Sequence, residues 1–188
     1  KIKSLISLKK NYKKIIAVTG ASGTLGKQFL KKYKKKFKFL IFKKRIEQKK
    51  NIENWIRKNN KINIFLHFGA IASIYKASKS PKKTYLVNTE ASIRIIRFID
   101  KLKLKNFEYF LFISSAHVYQ PSFNIISENS KKIPSTVYGK SKLKVEKYIL
   151  KNKKKFSFKI GIARIFNFYS SRQKKGFFIP DVVKKISS

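Results

Sequence analysis

The 188-residue sequence contains no cysteine, no methionine and only two histidines. Without cysteine there is no disulfide and no thiolate ligand, and the redox compartment is left open. Two histidines unaided by cysteine do not make a structural zinc centre, so no metal site is expected. The missing methionine means that the chain does not start at its own initiator residue, or that this residue was removed. Long apolar runs are also missing. The longest, residues 65–75, is interrupted by His67 and falls well short of the ~20 residues a bilayer-spanning helix needs. No charged-then-apolar leader with a small-residue cleavage site opens the sequence, so a cytoplasmic protein without a membrane partner is expected. Acids are scarce: 8 Asp+Glu stand against 47 Lys+Arg, for a formal net charge of +39.

What is present can fill a core. At 43% hydrophobic and 14% aromatic, the chain is not a disordered basic tail. Its length is that of one domain or slightly more. Taken alone, the charge points to nucleic acid or an anionic membrane surface. However, lysine supplies 41 of the 47 basic residues and is spread from end to end, together with many Ile, Asn and Phe. AT-rich coding produces that joint excess without a ligand, and nucleic-acid surfaces usually mix in arginine for bidentate contacts. A nucleic-acid partner therefore ranks second to a reading based on motifs.

Apolar runs alternate with helical patterns along the chain. Residues 15–19 form a short buried-strand run, followed by glycines and a helical pattern with Leu25, Phe29 and Tyr33 on one face. Further strands are expected at 37–42, 62–66, 109–113 and 158–163. Helices are expected around Ile52, Trp55 and Ile56, in a long run after Pro81 with Ile95, Ile99 and Leu102 in phase, and over 137–151. Strands separated by such helices imply βαβ crossovers and a doubly wound α/β fold with a parallel sheet. Residues 1–13 are expected to be an extension and 14–188 the domain. Val182, Val183 and Ile186 begin a helical pattern that the sequence cuts off, suggesting a fragment of a longer chain.

The first strand-to-helix turn runs Thr19-Gly20-Ala21-Ser22-Gly23-Thr24-Leu25-Gly26. Gly20 permits a tight turn, Gly23 lets the backbone approach a pyrophosphate, and Gly26 lets helix and strand pack closely. The free N–H groups and positive dipole end of the following helix receive the anion. A dinucleotide site is expected here, with Gly20, Ser22, Gly23, Thr24, Leu25 and Gly26 as its binding residues. The second strand ends in Lys43-Lys44-Arg45, where an acid would suit a ribose diol and bases suit a 2′-phosphate. That favours NADP over NAD, although both stay open in so basic a chain.

Tyr138 and Lys142 stand at i, i+4 on one helix face. A nearby ammonium stabilises phenolate and brings tyrosine down from about 10, toward proton exchange with a substrate hydroxyl. Spacing alone is weak, because Tyr75–Lys79 has it too, and nine tyrosines in so lysine-rich a chain give such pairs by chance. Context separates them: Tyr138 follows the strand whose carboxyl end carries Ser114-Ser115, and a serine hydroxyl there can bond a substrate oxygen that becomes a carbonyl.

With these motifs in order, the chain resembles the extended short-chain dehydrogenase/reductase family, the NAD(P)-dependent sugar-nucleotide epimerases, dehydratases and reductases. Residues 19–26 match its TGxxGxxG turn, and Leu66-His67-Phe68-Gly69-Ala70 its segment along the cofactor. Val87-Asn88 matches the Val-Asn of its long helix, and residues 112–119 its serine motif, with Ser115 at the catalytic position. Residues 138–143 match the YGxSK helix, and 163–169 resemble RxFNxYGP. The resemblance implies a Rossmann-type fold, NAD or NADP as cofactor, and Ser115, Tyr138 and Lys142 as catalytic residues. It adds Phe68, Gly69, Ala70, Asn88, Tyr138, Lys142 and Phe166 to the cofactor contacts. Ser115, Ala116, His117 and Asn167 become substrate contacts, and the full-length protein is implied to be a homodimer.

The Ser-Ser-Ala-His-Val-Tyr segment is most similar to the UDP-glucose 4-epimerase type. Ala116 and His117 occupy positions where the dehydratases carry an Asp-Glu pair, which disfavours dehydration. His117 is expected to satisfy a local backbone group or touch substrate, and His67 to be structural. Gln120 and Ser170-Ser171 replace the family's usual loop residues, leaving the substrate open. The expected activity is transient oxidation of a sugar hydroxyl by hydride transfer, as in an epimerase. The alternatives are an NADPH-dependent keto-sugar-nucleotide reductase and a nucleic-acid-binding protein on a dinucleotide-binding scaffold.

Overall fold

A computed structural model describes residues 14–166. The apolar runs become five strands: β1 (Ile15–Thr19), β2 (Lys38–Ile41), β3 (Ile64–His67), β4 (Tyr109–Ser115) and β5 (Lys159–Ile165). All pair in parallel in one sheet, in the order β2-β1-β3-β4-β5. From β2 the chain returns past β1 to reach β3. The winding thus reverses between β1 and β3, where open α/β sheets take ligands at their carboxyl ends. Thr19 pairs with His67 and Ser115 with Ile165, so the strand ends form a common edge.

Helices cover both faces. On one, Ala17, Phe65, Phe110 and Phe112 of the sheet pack with residues of α2 (Lys49–Lys58), α5 (Ser92–Leu102) and α6 (Val137–Asn152). Ile52, Ile56, Ile95 and Ile99 are essentially sealed there. Each buried side chain of this size contributes about 1.5–3 kcal/mol, and truncation to alanine costs about 2–5 kcal/mol. On the other face, Ile16, Val18 and Leu66 meet Phe29 and Leu30 of α1 (Thr24–Tyr33).

The doubly wound α/β fold expected from the sequence is the observed one, with three local differences. β3 starts after the buried Ile62, because the pairing of β1 with β3 begins at Ile64. A short helix, α3 (Ile74–Lys79), was not expected; the Ser73 side chain caps it by accepting from the Lys76 N–H at 3.3 Å. The long helix after Pro81 is segmented into α4 (Pro81–Tyr85), a π-helical turn (Leu86–Ala91) and α5. The Ser92 hydroxyl donates to the Asn88 carbonyl at 2.7 Å, a side-chain bond that competes with the regular helical ladder. Such π turns recur at functional sites. No described helix is long and apolar enough to cross a membrane. The expected extension, Asn167, the loop after it and the final helical pattern lie outside the described residues.

Candidate active site

Every sequence-predicted site residue within the described range lies at or beside the carboxyl edge of the sheet. β1 runs into the glycine turn, where Gly20 has φ +70, a left-handed conformation that side chains disfavour. A Cβ at Gly20 would also lie 2.5 Å from the Gly69 nitrogen, so the turn is in close contact with Phe68 and Gly69. The Phe68 N–H donates to the Thr19 carbonyl (3.2 Å) and the Gly69 N–H to the Thr19 hydroxyl (3.3 Å), securing that contact. Phe68 turns its ring onto Phe29 of α1, leaving the segment's backbone beside the turn.

Gly23 differs from Gly20. A Cβ there meets only the Gly20 carbonyl oxygen, at 3.3 Å, and otherwise projects into open space. Gly23 caps α1 without any side-chain hydrogen bond, and the helix has no acid in its first turn. An uncapped helix start beside a cradle that a side chain would fill suits a phosphate-bearing ligand. Ser22 and Gly23 are exposed at the rim, Thr24 and Leu25 half-buried, and Gly26 buried against the Gly20 backbone. Lys43, Lys44 and Arg45 are all exposed just beyond β2.

Ser115, Tyr138 and Lys142 come together. Thr136 caps α6 by accepting from the Gly139 N–H at 3.0 Å, fixing the first turn that carries Tyr138. Gly139 permits this docking, because a Cβ there would lie 2.1 Å from the His117 carbonyl oxygen. Tyr138 is nearly buried, with its phenol facing the Ser115 hydroxyl. Burial pushes the phenol up, and the Ser115 hydroxyl beside it pulls it partly back. Ser115 also accepts from the His117 N–H at 3.2 Å, which shapes the 3₁₀ turn Ala116–Val118. The His117 ring is exposed and stands edge-on to Tyr138, with centroids 5.9 Å apart.

Lys142 is 2% exposed. Its ammonium donates to the Ile113 carbonyl at 2.7 Å and lies 4.7 Å from the Phe112 ring centroid. Burial pulls it down to about 7, against the raising influence of Glu146. The sequence leads one to expect a lysine that lowers the tyrosine. Here burial dominates both groups instead, raising Tyr138 and lowering Lys142.

Beneath these groups lies a buried polar row; the sequence reading named His67 as structural and Asn88 as a contact but not their connection. His67 is fully buried, with Nδ1 2.8 Å from the Thr19 hydroxyl and Nε2 2.9 Å from the Ser92 hydroxyl. Burial, then the nearby Lys142, lower it to about 3, so the imidazole is neutral. Asn88 accepts from the Ile71 N–H (2.8 Å) and donates to the Ile71 carbonyl (3.1 Å) and the Ser141 hydroxyl (3.1 Å). Ser141 in turn donates to the Tyr138 carbonyl at 2.7 Å. One connected set thus joins the end of β1 to the tyrosine-bearing helix. Asn88, expected as a cofactor contact, directs its amide to the segment after β3. The available signal was polar residues inside otherwise apolar patterns.

Arg164 of β5 was also not singled out. It donates Nε–H to both Glu146 oxygens (3.0 and 3.1 Å), Nη1–H to the Tyr119 hydroxyl (2.7 Å) and to the Glu128 carbonyl (3.0 Å). It ties α6 to the segment after Ser115. Phe166 is half-exposed, with its ring 6.1 Å from Tyr119. Among the described residues no three His, Cys, Asp or Glu side chains gather as a metal site.

Comparison with known proteins bears on the fold and the family. A GDP-6-deoxy-D-talose 4-dehydrogenase from Aggregatibacter actinomycetemcomitans is 26% identical over 174 residues, covering 89% of this chain and 58% of that protein. The chain thus spans little more than half the length of this curated relative. Among solved structures, RMD from Pseudomonas aeruginosa complexed with NADPH has a TM-score of 0.80 at 21% identity, over 95% of this chain and 61% of that one. UDP-glucose 4-epimerase from Thermotoga maritima with UDP-glucose has a TM-score of 0.76 at 20% identity, over 85% and 58%. These two likenesses establish the Rossmann-type fold. The profile of the NAD dependent epimerase/dehydratase family matches residues 16–188, from β1 to the end of the sequence. With the family's glycine turn and its serine, tyrosine and lysine assembled on one edge, the chain belongs to the NAD dependent epimerase/dehydratase family.

Proposed function

We propose that the chain is the cofactor-binding portion of an NAD(P)-dependent sugar-nucleotide oxidoreductase of the epimerase type, acting by transient oxidation of a sugar hydroxyl. The observation that carries this reading is the meeting of Tyr138 with Ser115 at the carboxyl edge, one helical turn from the buried Lys142. Gly20, Ser22, Gly23, Thr24, Leu25 and Gly26 would hold the phosphates of NAD or NADP, with Phe68, Gly69 and Ala70 alongside. When bound, the nicotinamide supplies a reversible hydride acceptor.

The chain's own residues manage the proton. Tyr138 takes it from the sugar hydroxyl, and Ser115 hydrogen-bonds the same oxygen as it becomes a carbonyl. A protonated Lys142 favours the phenolate of Tyr138, and its position near 7 lets it gain or lose a proton close to neutrality. Ala116 and His117 line the substrate side, where neither offers the carboxylate that water elimination requires. The curated relative and one structural neighbour are named as a 4-dehydrogenase and a 4-epimerase, which supports chemistry at a sugar 4-hydroxyl.

A second reading, an NADPH-dependent keto-sugar-nucleotide reductase, is favoured by the exposed Lys43, Lys44 and Arg45, which include no acid to hold a ribose diol. Stoichiometric NADPH consumption with a 4-keto sugar nucleotide selects the reductase, and turnover without net cofactor change selects the epimerase. Isothermal titration of NADH and NADPH into the parent chain and Gly23→Val tests the cofactor site. The parent is expected to bind and the variant to lose binding, since valine fills the cradle without striking the fold. No binding by the parent, or undiminished binding by the variant, overturns the reading.

A further inference from the structure

In a parallel sheet every helix-to-strand turn lies at the amino edge, opposite the site just described. Among the described residues the four such turns, 34–37, 59–63, 103–108 and 153–158, hold 9 lysines in 21 residues. The described strand-to-helix connections at the carboxyl edge, residues 20–23, 42–48, 68–73 and 116–136, hold 4 in 38. A drift of composition toward lysine raises both edges alike, and these edges differ. We propose that the amino edge is a binding face for the phosphate backbone of a double-stranded nucleic acid, engaged without sequence preference.

All nine turn lysines are exposed. Following the sheet order, they run from Lys34, Lys35 and Lys36 before β2, through Lys61 before β3 and Lys103 and Lys105 before β4, to Lys153, Lys154 and Lys155 before β5. Five strands set the row's width at about 19 Å. Its backbone is cross-linked: Asn63 accepts from the Ile15 N–H (2.9 Å) and donates to the Asn106 carbonyl (3.0 Å), and the Lys159 N–H donates to the Glu108 carbonyl (3.0 Å). The local acids are engaged, Glu108 with Lys14 and Asp100 with Lys103 and Ser157. Four helices end at this edge, and their C-terminal dipoles offset part of the repulsion among the cations.

The chemistry of the row selects its partner. Lysine acts as a point charge and does not read base edges bidentately. The turn aromatics face inward, Phe158 stacking on Phe156 (5.4 Å) and meeting Phe107 edge-on (4.9 Å), so none is presented to stack on unpaired bases. No residue of these turns is an exposed large hydrophobic, whereas a membrane-docking surface inserts apolar side chains beside its cations. A bare cationic row fits duplex phosphates.

The test is fluorescence anisotropy of a labelled mixed-sequence DNA duplex between 50 and 200 mM KCl. Two variants each lose six lysines to glutamine: one at 34, 35, 36, 153, 154 and 155, the other at the exposed Lys49, Lys50, Lys76, Lys82, Lys83 and Lys147. The turn variant is expected to lose at least tenfold in affinity and to flatten the salt slope by about 5, the control to lose less than threefold. The corresponding six Lys→Arg changes at the turns should preserve binding, separating charge from misfolding. Equal losses in the two glutamine variants, or no duplex binding by the parent, overturn the proposal. So does turn-dependent capture by vesicles containing phosphatidylserine without capture of the duplex.

Discussion

The guanidinium of Arg164 grips the wholly buried carboxylate of Glu146, with Nε 3.0 and 3.1 Å from its two oxygens and Nη2 2.8 Å from one. The pair, chiefly through its hydrogen bonds, raises Arg164 above its usual range. Removing the arginine strands a charge in the interior. Arg164→Met should therefore destabilise by roughly 3–5 kcal/mol, and Glu146→Met in the same chain should restore most of the loss. Urea denaturation of the single and double variants measures both, and a single-variant cost below about 1 kcal/mol would refute the clamp.

Ser115 holds Tyr138 below where burial alone would put it. Ser115→Ala should therefore move phenolate formation at Tyr138 to higher pH. Ultraviolet difference titration against Tyr138→Phe isolates that one phenol. A shift to lower pH would contradict that influence of Ser115.

Lys142 sits at about 7 instead of 10.5, so between those values the unfolded chain carries a proton that the folded chain does not. Stability then rises with pH across this window, and the full penalty applies below pH 7. Lys142→Met should raise stability by about 2 kcal/mol at pH 6, allowing for the lost bond to Ile113, with the gain shrinking toward pH 10. Thermal melts at the two pH values decide it; a gain that grows with pH would be the wrong sign.

His67 is lowered to about 3 from 6.5, so the unfolded chain binds the extra proton between those values. Its contribution to stability is intact above pH 6.5 and falls as pH drops toward 3. Between pH 6.5 and 4.5 one such group accounts for about 2–3 kcal/mol. His67→Gln should lose correspondingly less over that range in urea midpoints, and equal losses would remove His67 as the cause.

Gly139 allows α6 to dock on the turn after Ser115. Gly139→Ala should cost about 2 kcal/mol or more, because its Cβ meets backbone that cannot swing aside. Gly23→Ala, with one contact at 3.3 Å, should melt close to the parent. Calorimetry of both variants compares a glycine required by packing with one whose Cβ position is nearly open.

The strands were legible because buried parallel strands read as apolar runs, and the glycine turn because few residues suit φ +70. Tyr138 and Lys142 were legible as a helical pair, and Ser115 from its place at a strand end. The π turn was not, since it obeys neither helical spacing, and α3 lacked an apolar stripe long enough to register. The row from Thr19 through His67, Ser92 and Asn88 to Ser141 joins residues up to 53 positions apart, which no local period reports. Glu146 carried a faint signal as one of only eight acids, placed between Leu143 and Ile149 on a buried helix face.

β4 runs seven residues from the lysine-bearing turn before it to Ser115. That is about 23 Å, more than two screening lengths at physiological ionic strength. The solvent-exposed cations of the amino edge therefore contribute almost no potential at the tyrosine. A ligand gathered on that edge, or a change in its lysines, therefore leaves the Tyr138 phenol untouched at the far end of the same strand.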